Sequence, residues 1–157
     1  MTREEKRIRV VNACIAHQQH IAGVAKQEMD SAQQQSNDYG TNVDRYDSYR
    51  TKMMRARDMY AKQLSNANAS LRYLQEALRM PPFNRAEHGA IVVTDKQQFF
   101  LSIGVGKFVV KDPSSPTGMQ YCFAISAQTP IYLALKGKTV GDSFIINGIP
   151  QTIKEIF

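Results

Sequence analysis

Two long stretches of the chain carry apolar and small residues at helical spacing, and a third carries them in short runs. In the first stretch Ile8, Val11, Ile15, Gln18, Ala22, Ala25, Met29 and Ala32 recur at alternating steps of three and four. That is the stripe of a coiled-coil helix. Residues 2–35 contain no proline and one glycine, Gly23, so a single long helix is predicted there. Glu4 and Glu5 lie near its start, where the helix dipole favours acids. In the second stretch one row is Tyr46, Met53, Tyr60, Ala67 and Leu74, and the other is Arg50, Arg57, Leu64, Leu71 and Leu78. Together they predict a helix from near Asp44 to about Met80. Pro81 and Pro82 end it, because proline cannot continue a helix and disfavours helix in the residue before it. Between the two stripes lies SNDYGTNVDRYD, residues 36–47, rich in turn and cap formers. Two helices of similar length joined by a short polar turn predict an antiparallel hairpin, with arms about 50 Å long. Leucines gather at the base of the second stripe, so the hairpin should be firmest there and more polar at its tip.

From Gly89 the pattern changes. Residues 90–93, 98–101, 108–110, 121–125 and 143–146 are short runs rich in β-branched and aromatic residues, the mark of strands. Turn formers separate them, and Asn147 with Gly148 is a two-residue hairpin signal between the last two strands. One short helix interrupts the series. Thr129 suits its N-cap, Pro130 its first position and Gly137 its stop, while Ile131, Ala134 and Leu135 give it an apolar face. The expected fold class is α+β: a helical hairpin over residues 1–80 with its tip near 36–47, a linker over 81–88, and a small antiparallel β domain over 89–157.

Composition adds limits. The chain has 157 residues, 43% hydrophobic and 22% charged, the proportions of a folded soluble domain. No apolar run approaches the roughly 20 residues of a membrane span, and MTREEKRIRV has no signal-peptide core. Cys14 and Cys122 lie far apart in different kinds of sequence, which points to a reducing compartment and a cytoplasmic location. Both read as small core residues, with no cysteine–histidine constellation for catalysis. The net charge of +6 permits a nucleic-acid or acidic-protein partner without requiring one. His17 and His20 stand at i and i+3 but have no third ligand in view, so they read as solvent-facing. Gly104 and Gly106 alone do not make a phosphate loop.

Residues 125–142 read ISAQTPIYLALKGKTVGD. This resembles the C-terminal signature of the bacterial Gre transcript cleavage factors, approximately I-S-x-x-S-P-x-x-x-A-L-x-G-K-x-x-G-D. Ile125, Ser126, Pro130, Ala134, Leu135, Gly137, Lys138, Gly141 and Asp142 stand in the matching places, and Thr129 replaces the family serine. Residues 89–94 resemble the family's first strand. The N-terminal half is similar in architecture, a helical hairpin ahead of an FK506-binding-protein-like β domain.

The resemblance implies a transcription elongation factor that binds RNA polymerase through its β domain, with Thr129 and Pro130 at the contact. It implies a coiled coil that enters the secondary channel and meets the nascent RNA 3′ end. Such a protein is not itself an enzyme. Two tip acids help hold a magnesium ion in the polymerase's own active site and stimulate cleavage of backtracked RNA, so Mg2+ belongs to the complex and not to the free protein, a monomer. The family tip reads approximately G-D-L-S-E-N, and Asp44 and Asp47 match its acid spacing. Here Asp47 stands for Glu, Val43 for the preceding glycine and Ser48 for the following asparagine. Carboxylates at i and i+3 on a helix start share a face and supply the hard oxygens magnesium prefers, as one half of a two-metal arrangement. Equally, Asp44 could cap the second helix and Asp47 complement its dipole. Arg45, Arg50, Lys52 and Arg55, with Arg57, crowd the first turns of that helix. They form either a basic face for RNA phosphate or a solvated helix face, with Arg50 and Arg57 on the seam row and their stems packed. Tyr39, Tyr46 and Tyr49 cluster near the tip as packing or stacking groups.

Two alternatives stand beside cleavage: a polymerase-binding regulator of the same architecture without cleavage activity, to which the altered tip points, and a prolyl isomerase or chaperone, on fold analogy alone.

Overall fold

The computed structural model describes residues 1–38 and 48–157 in full and the main chain of Asp47. Among the described residues there are three helices and six strands, an α+β architecture of a long helical hairpin followed by a mostly antiparallel sheet. Helix α1 spans Arg3–Asp38 and α2 spans Asp47–Leu78. The strands are β1 (Ile91–Thr94), β2 (Gln98–Leu101), β3 (Gly106–Lys111), β4 (Met119–Ile125), β5 (Ser143–Ile146) and β6 (Ile149–Ile156), and helix α3 (Pro130–Leu135) lies between β4 and β5. The chain divides into two compact units, one of Met1–His17 with Tyr73–Phe157 and one of Gln18–Arg72. Helices α1 and α2 each contribute to both.

In the unit Gln18–Arg72 the expected stripes are the buried ones. Gln18, Ala22, Ala25 and Ala32 are buried on α1 and Ala67 on α2, while Arg50, Met53, Arg57, Tyr60, Leu64 and Leu71 are half-buried. Small residues on α1 and longer ones on α2 make the thin seam that the alanine-rich pattern predicts. Arg57 reaches across it, its Nη1 donating to Gln33 Oε1 at 2.7 Å, and pairs with Asp58 at 2.7 Å. Helix α1 runs three residues into the expected break, through Ser36, Asn37 and Asp38. Gln33 and Gln34 donate to the side chains of Asn37 and Asp38, at 2.9 and 2.8 Å. Ser36 is buried. These i, i+4 bonds let turn-forming residues stay helical.

In the other unit the sheet order is β3-β4-β2-β1-β6-β5. All pairings are antiparallel except β2 with β4, which run parallel with Phe99 opposite Phe123. The sheet separates two apolar clusters, and alternation along each strand assigns residues to one or the other. Ile91, Phe100, Phe108, Val110, Cys122 and Ala124 meet Val10, Val11 and Cys14 of α1 and Leu74 and Ala77 of α2. Val92, Phe99, Leu101, Ile125 and Ile156 meet Tyr132 and Leu135 of α3 and Phe144 of β5. All four residues of β2 are buried, because both its faces are covered. Asn147 and Gly148 both take positive φ, 52° and 77°, the turn expected between the last two strands.

The base of α1 departs from its stripe. Ile8 is 39% exposed, whereas Arg7 is 1% exposed. Here the helix packs on α2 and the sheet together, so its buried face widens to Arg7, Val10, Val11 and Cys14. Among the described residues, the Arg7 guanidinium pairs with no carboxylate. Its Nε donates to Met80 O at 3.1 Å, Nη1 to Gly89 O at 2.6 Å and to Phe157 O at 3.5 Å, and Nη2 to Ala77 O at 3.0 Å. The Phe83 ring lies 5.0 Å from it. Arg3 adds bonds to Ile156 O at 3.3 Å, to Asn84 Oδ1 at 3.0 Å and to the main-chain oxygen of Phe83. Within residues 81–88, Ala86 is buried and exchanges main-chain bonds with Lys138 and Gly137.

Arg7→Ala is expected to lower unfolding stability by roughly 3–5 kcal/mol, since several buried carbonyls lose their donor. Arg7→Lys, which keeps the charge but not the fork, should fall between. Urea titrations followed by circular dichroism check both.

Candidate functional site

The residues singled out from the sequence fall into two groups, one on α2 and one around α3. Asp44, Arg45, Tyr39 and Tyr46 lie outside the described residues, and so does the side chain of Asp47, whose main chain opens α2. The paired-carboxylate reading and the magnesium that goes with it therefore rest on the chemistry of two hard-oxygen side chains three residues apart. Further along α2, Lys52 and Arg55 are exposed and Arg50 is half-buried. At 100° per residue, Lys52 and Arg55 share one side of the helix and Arg50 lies on the other, with the seam. Arg57 is also on the seam side, engaged with Gln33 and Asp58. The solvent-facing cations of this stretch are thus Lys52 and Arg55, with Lys62 two turns on.

The second group is built by local bonding. Thr129 has an extended backbone, and its Oγ1 accepts from Tyr132 N at 3.3 Å and donates to Ser126 O at 2.9 Å. One hydroxyl thus caps α3 and ties the cap to the end of β4. Pro130 occupies the first turn, where its missing N–H costs nothing, and is exposed. Tyr132 and Leu135 turn inward and Leu133 is 64% exposed. Gly137, at φ 81°, ends the helix and donates to Ala86 O at 2.7 Å. A non-glycine residue would be strained there. The following turn closes on Asp142, whose Oδ2 accepts from Thr139 N at 2.8 Å and Thr139 Oγ1 at 3.2 Å. Those bonds, with Lys138 nearby, hold the Asp142 carboxyl below its ordinary pKa. Gly141 N donates to Ile153 O at 2.9 Å and Ile153 N to Asp142 O at 2.9 Å, stitching the turn to β6. Thr129, Gly137, Gly141 and Asp142 thus each have a bonding or backbone reason to be what they are.

Leu133, Val140 and Ile145, none of them singled out as exposed from the sequence, are 64%, 55% and 68% exposed. Ile145 sits in an apolar run and is exposed by the edge position of β5, Leu133 lies on the outward side of α3, and Val140 lies in the turn between them. The remaining candidates are structural. Cys14 and Cys122 are free and buried. Burial pushes the Cys14 thiol up to about 12 and that of Cys122 well above its ordinary value. His17 is half-buried, its ring 6.4 Å from that of Phe108, and His20 is exposed. Among the described residues no group of three or more His, Cys, Asp or Glu is placed to hold a metal, and no helix is long and apolar enough to cross a membrane. Comparison with protein-family models, with curated proteins and with solved structures finds no match to this chain.

Asp142→Ala should lower the melting temperature near pH 7. A carboxyl with a depressed folded-state pKa stabilises above its unfolded value, and that contribution is lost as pH falls through the folded value. The deficit of the variant against the parent should therefore shrink below the ordinary Asp value of 3.8. Thermal melts across the acid range measure it.

Proposed function

We propose that this chain is a Gre-like regulator of RNA polymerase, in which the helical hairpin enters the secondary channel and the tip acids promote cleavage of backtracked RNA. The observation that carries this reading is the segment around α3. Pro130, the Gly137 stop and the Asp142 turn, shared with the Gre signature, form one bonded unit with the cap at Thr129, which stands where the family has serine. Nine matching positions in one register, several of them with a local physical task, support the reading in a chain that also begins with a long helical hairpin.

In this reading the exposed Pro130 and the capped start of α3 form the contact with polymerase, flanked by the uncovered Leu133. An apolar side chain left in water beside a rigid capped turn is what a protein partner buries. On the hairpin, Asp44 and Asp47 supply carboxylate oxygens that complete a magnesium site begun by polymerase carboxylates and RNA phosphate. Lys52 and Arg55, facing solvent just behind, draw the RNA strand by salt-sensitive attraction. The protein has no chemistry of its own in this scheme; it lends two ligands to another active site.

The tip itself favours a second reading, a regulator that binds polymerase without promoting cleavage. Asp47 is one methylene shorter than the family Glu, and Val43 and Ser48 replace the flanking glycine and asparagine. A shorter carboxylate reaches less far toward an ion.

Backtracked elongation complexes mixed with the protein should release short 3′ RNA fragments, and Asp44→Ala with Asp47→Ala should abolish the release while leaving polymerase binding intact. Binding without cleavage selects the second reading. If the protein does not co-purify with polymerase, both readings are wrong. Pro130→Ala with Leu133→Ser should weaken binding by at least about ten-fold, the loss expected of a buried apolar anchor.

A further inference from the structure

One face of the sheet is left open at its outer end. Strand β3 is an edge strand, paired only with β4. On one side of this pair Lys107 stands opposite Phe123, Val109 opposite Tyr121, and Lys111 opposite Met119. Further in, this same face is covered: Phe99, Leu101 and Ile125 pack under α3 and Phe144. Phe123 marks the boundary, half-buried, its ring 6.2 Å from that of Phe99. Beyond it the cover ends. Val109 is 43% exposed, Met119 47% and Tyr121 52%.

The charged side chains that β3 and β4 place on this face, Lys107 and Lys111, are of one sign, with Asp95 beside Lys107 and Tyr121 across the adjoining hollow. Lys107 Nζ lies 4.0 Å from the centre of the Tyr121 ring. Among the described residues no carboxylate forms an ion pair with Lys107 or Lys111. The nearby acids are engaged elsewhere: Asp95 accepts from Thr152 N at 3.0 Å, and Asp112 is turned to Ser114 and Arg9. A cavity of about 430 Å³ elsewhere in this unit differs in kind, since its lysine and arginine, Lys6 and Arg9, are both paired with acids. Lysines on an edge strand are a common defence against stray strand pairing. That role does not account for an exposed tyrosine and methionine on the inner neighbour β4.

We infer that the open face of β3 and β4 binds single-stranded nucleic acid, with a base stacked on Tyr121 and phosphates held by Lys107 and Lys111. A flat ring offered from a sheet, flanked by unpaired cations, suits a strand that carries both aromatic faces and negative charge. Lys107 already rests on the ring as a cation and leaves it for a phosphate when a base takes its place. The two lysines lie four residues apart on one strand, about 13 Å, with Tyr121 opposite the residue midway between them, so one strand running along β3 meets all three. This site is separate from the cations on α2 and does not depend on the polymerase reading.

The test is fluorescence anisotropy of labelled oligouridylate and oligothymidylate, about 15 nucleotides long to cover the usual range of site sizes, titrated with the full chain over a range of salt. The parent should bind, with affinity falling as salt rises. Tyr121→Ala should weaken binding roughly ten-fold, the loss of one stacked base. Lys107→Ala with Lys111→Ala should reduce the slope of log affinity against log salt by roughly 1.4, two phosphate contacts to a single strand. All three side chains are exposed, and circular dichroism melts confirm that the variants fold. No binding by the parent, or binding unchanged in both variants and lost instead in Lys52→Ala with Arg55→Ala, overturns the proposal. So does equal, Tyr121-dependent binding of labelled polyglutamate, which would assign the face to an acidic peptide. The assay contains no polymerase, so its failure and that of the polymerase reading are told apart.

Discussion

The unit that contains the sheet depends on a buried cation held by main-chain oxygens. Arg7 lies among apolar residues at the base of α1, and burial lowers its pKa from the ordinary value, partly opposed by the Tyr73 phenol. Charge in such a place is costly unless its N–H groups are used. Here four main-chain oxygens take four of the five: Ala77 O in the last turn of α2, Met80 O just beyond it, Gly89 O just before β1 and Phe157 O just after β6. Carbonyls at the last turn of a helix have no partner within it and carry the negative end of its dipole, so an arginine fork suits α2 particularly well. One side chain therefore ties together the first helix, the end of the second and two neighbouring strands. A carboxylate partner would have fixed the charge but not these four pieces of backbone.

The sheet follows from that anchoring. With α1 and α2 held on one face and α3 and β5 on the other, the central strands are buried on both sides and their sequences read as unbroken apolar runs. Further out the cover thins. Strand β3 alternates exposed and buried residues, and its exposed set is the one that carries lysine. The segment around α3 solves a different problem. A helix of six residues gains little from its own hydrogen bonds, so it is held by the Thr129 cap, the Gly137 stop, the turn at Asp142 and two inward side chains. The same rigidity presents Pro130 and Leu133 in a fixed pose, and the proposed docking role draws on that.

Much of this was legible in the residues. Alternating steps of three and four give helices because side chains three and four apart share a face, and two prolines end α2 because they lack the donor a helix needs. Thr129, Pro130, Gly137, Asn147 and Gly148 each act through their own backbone, so their roles can be read without knowing what surrounds them. The local roles within residues 125–142 were legible for the same reason: the polar and glycine letters there act as a cap, a stop and a turn. The end of α1 was less so. Ser36, Asn37 and Asp38 read as a break, yet glutamines one turn earlier bond to two of them and keep the helix going.

What only the tertiary structure decided is which apolar and charged residues leave the surface. Arg7 and Ile8 are neighbours, and local preference puts the isoleucine inside. The arginine is buried because a helix end and two strands converge on that spot with oxygens to satisfy. Tyr121 and Ile145 sit in runs as apolar as those of Phe99 and Ile91, and they are exposed because β3 with β4 and β5 fall at the two ends of the sheet. The parallel pairing of β2 with β4, which brings Phe123 beside Phe99, was also beyond the sequence, since strand order depends on contacts between distant residues. The sequence by itself determined the elements and their caps, which are set by residues within a turn or two of each other. Burial, strand order and the two open surfaces depend on which elements lie against which, and that is settled only when the whole chain competes for the same core.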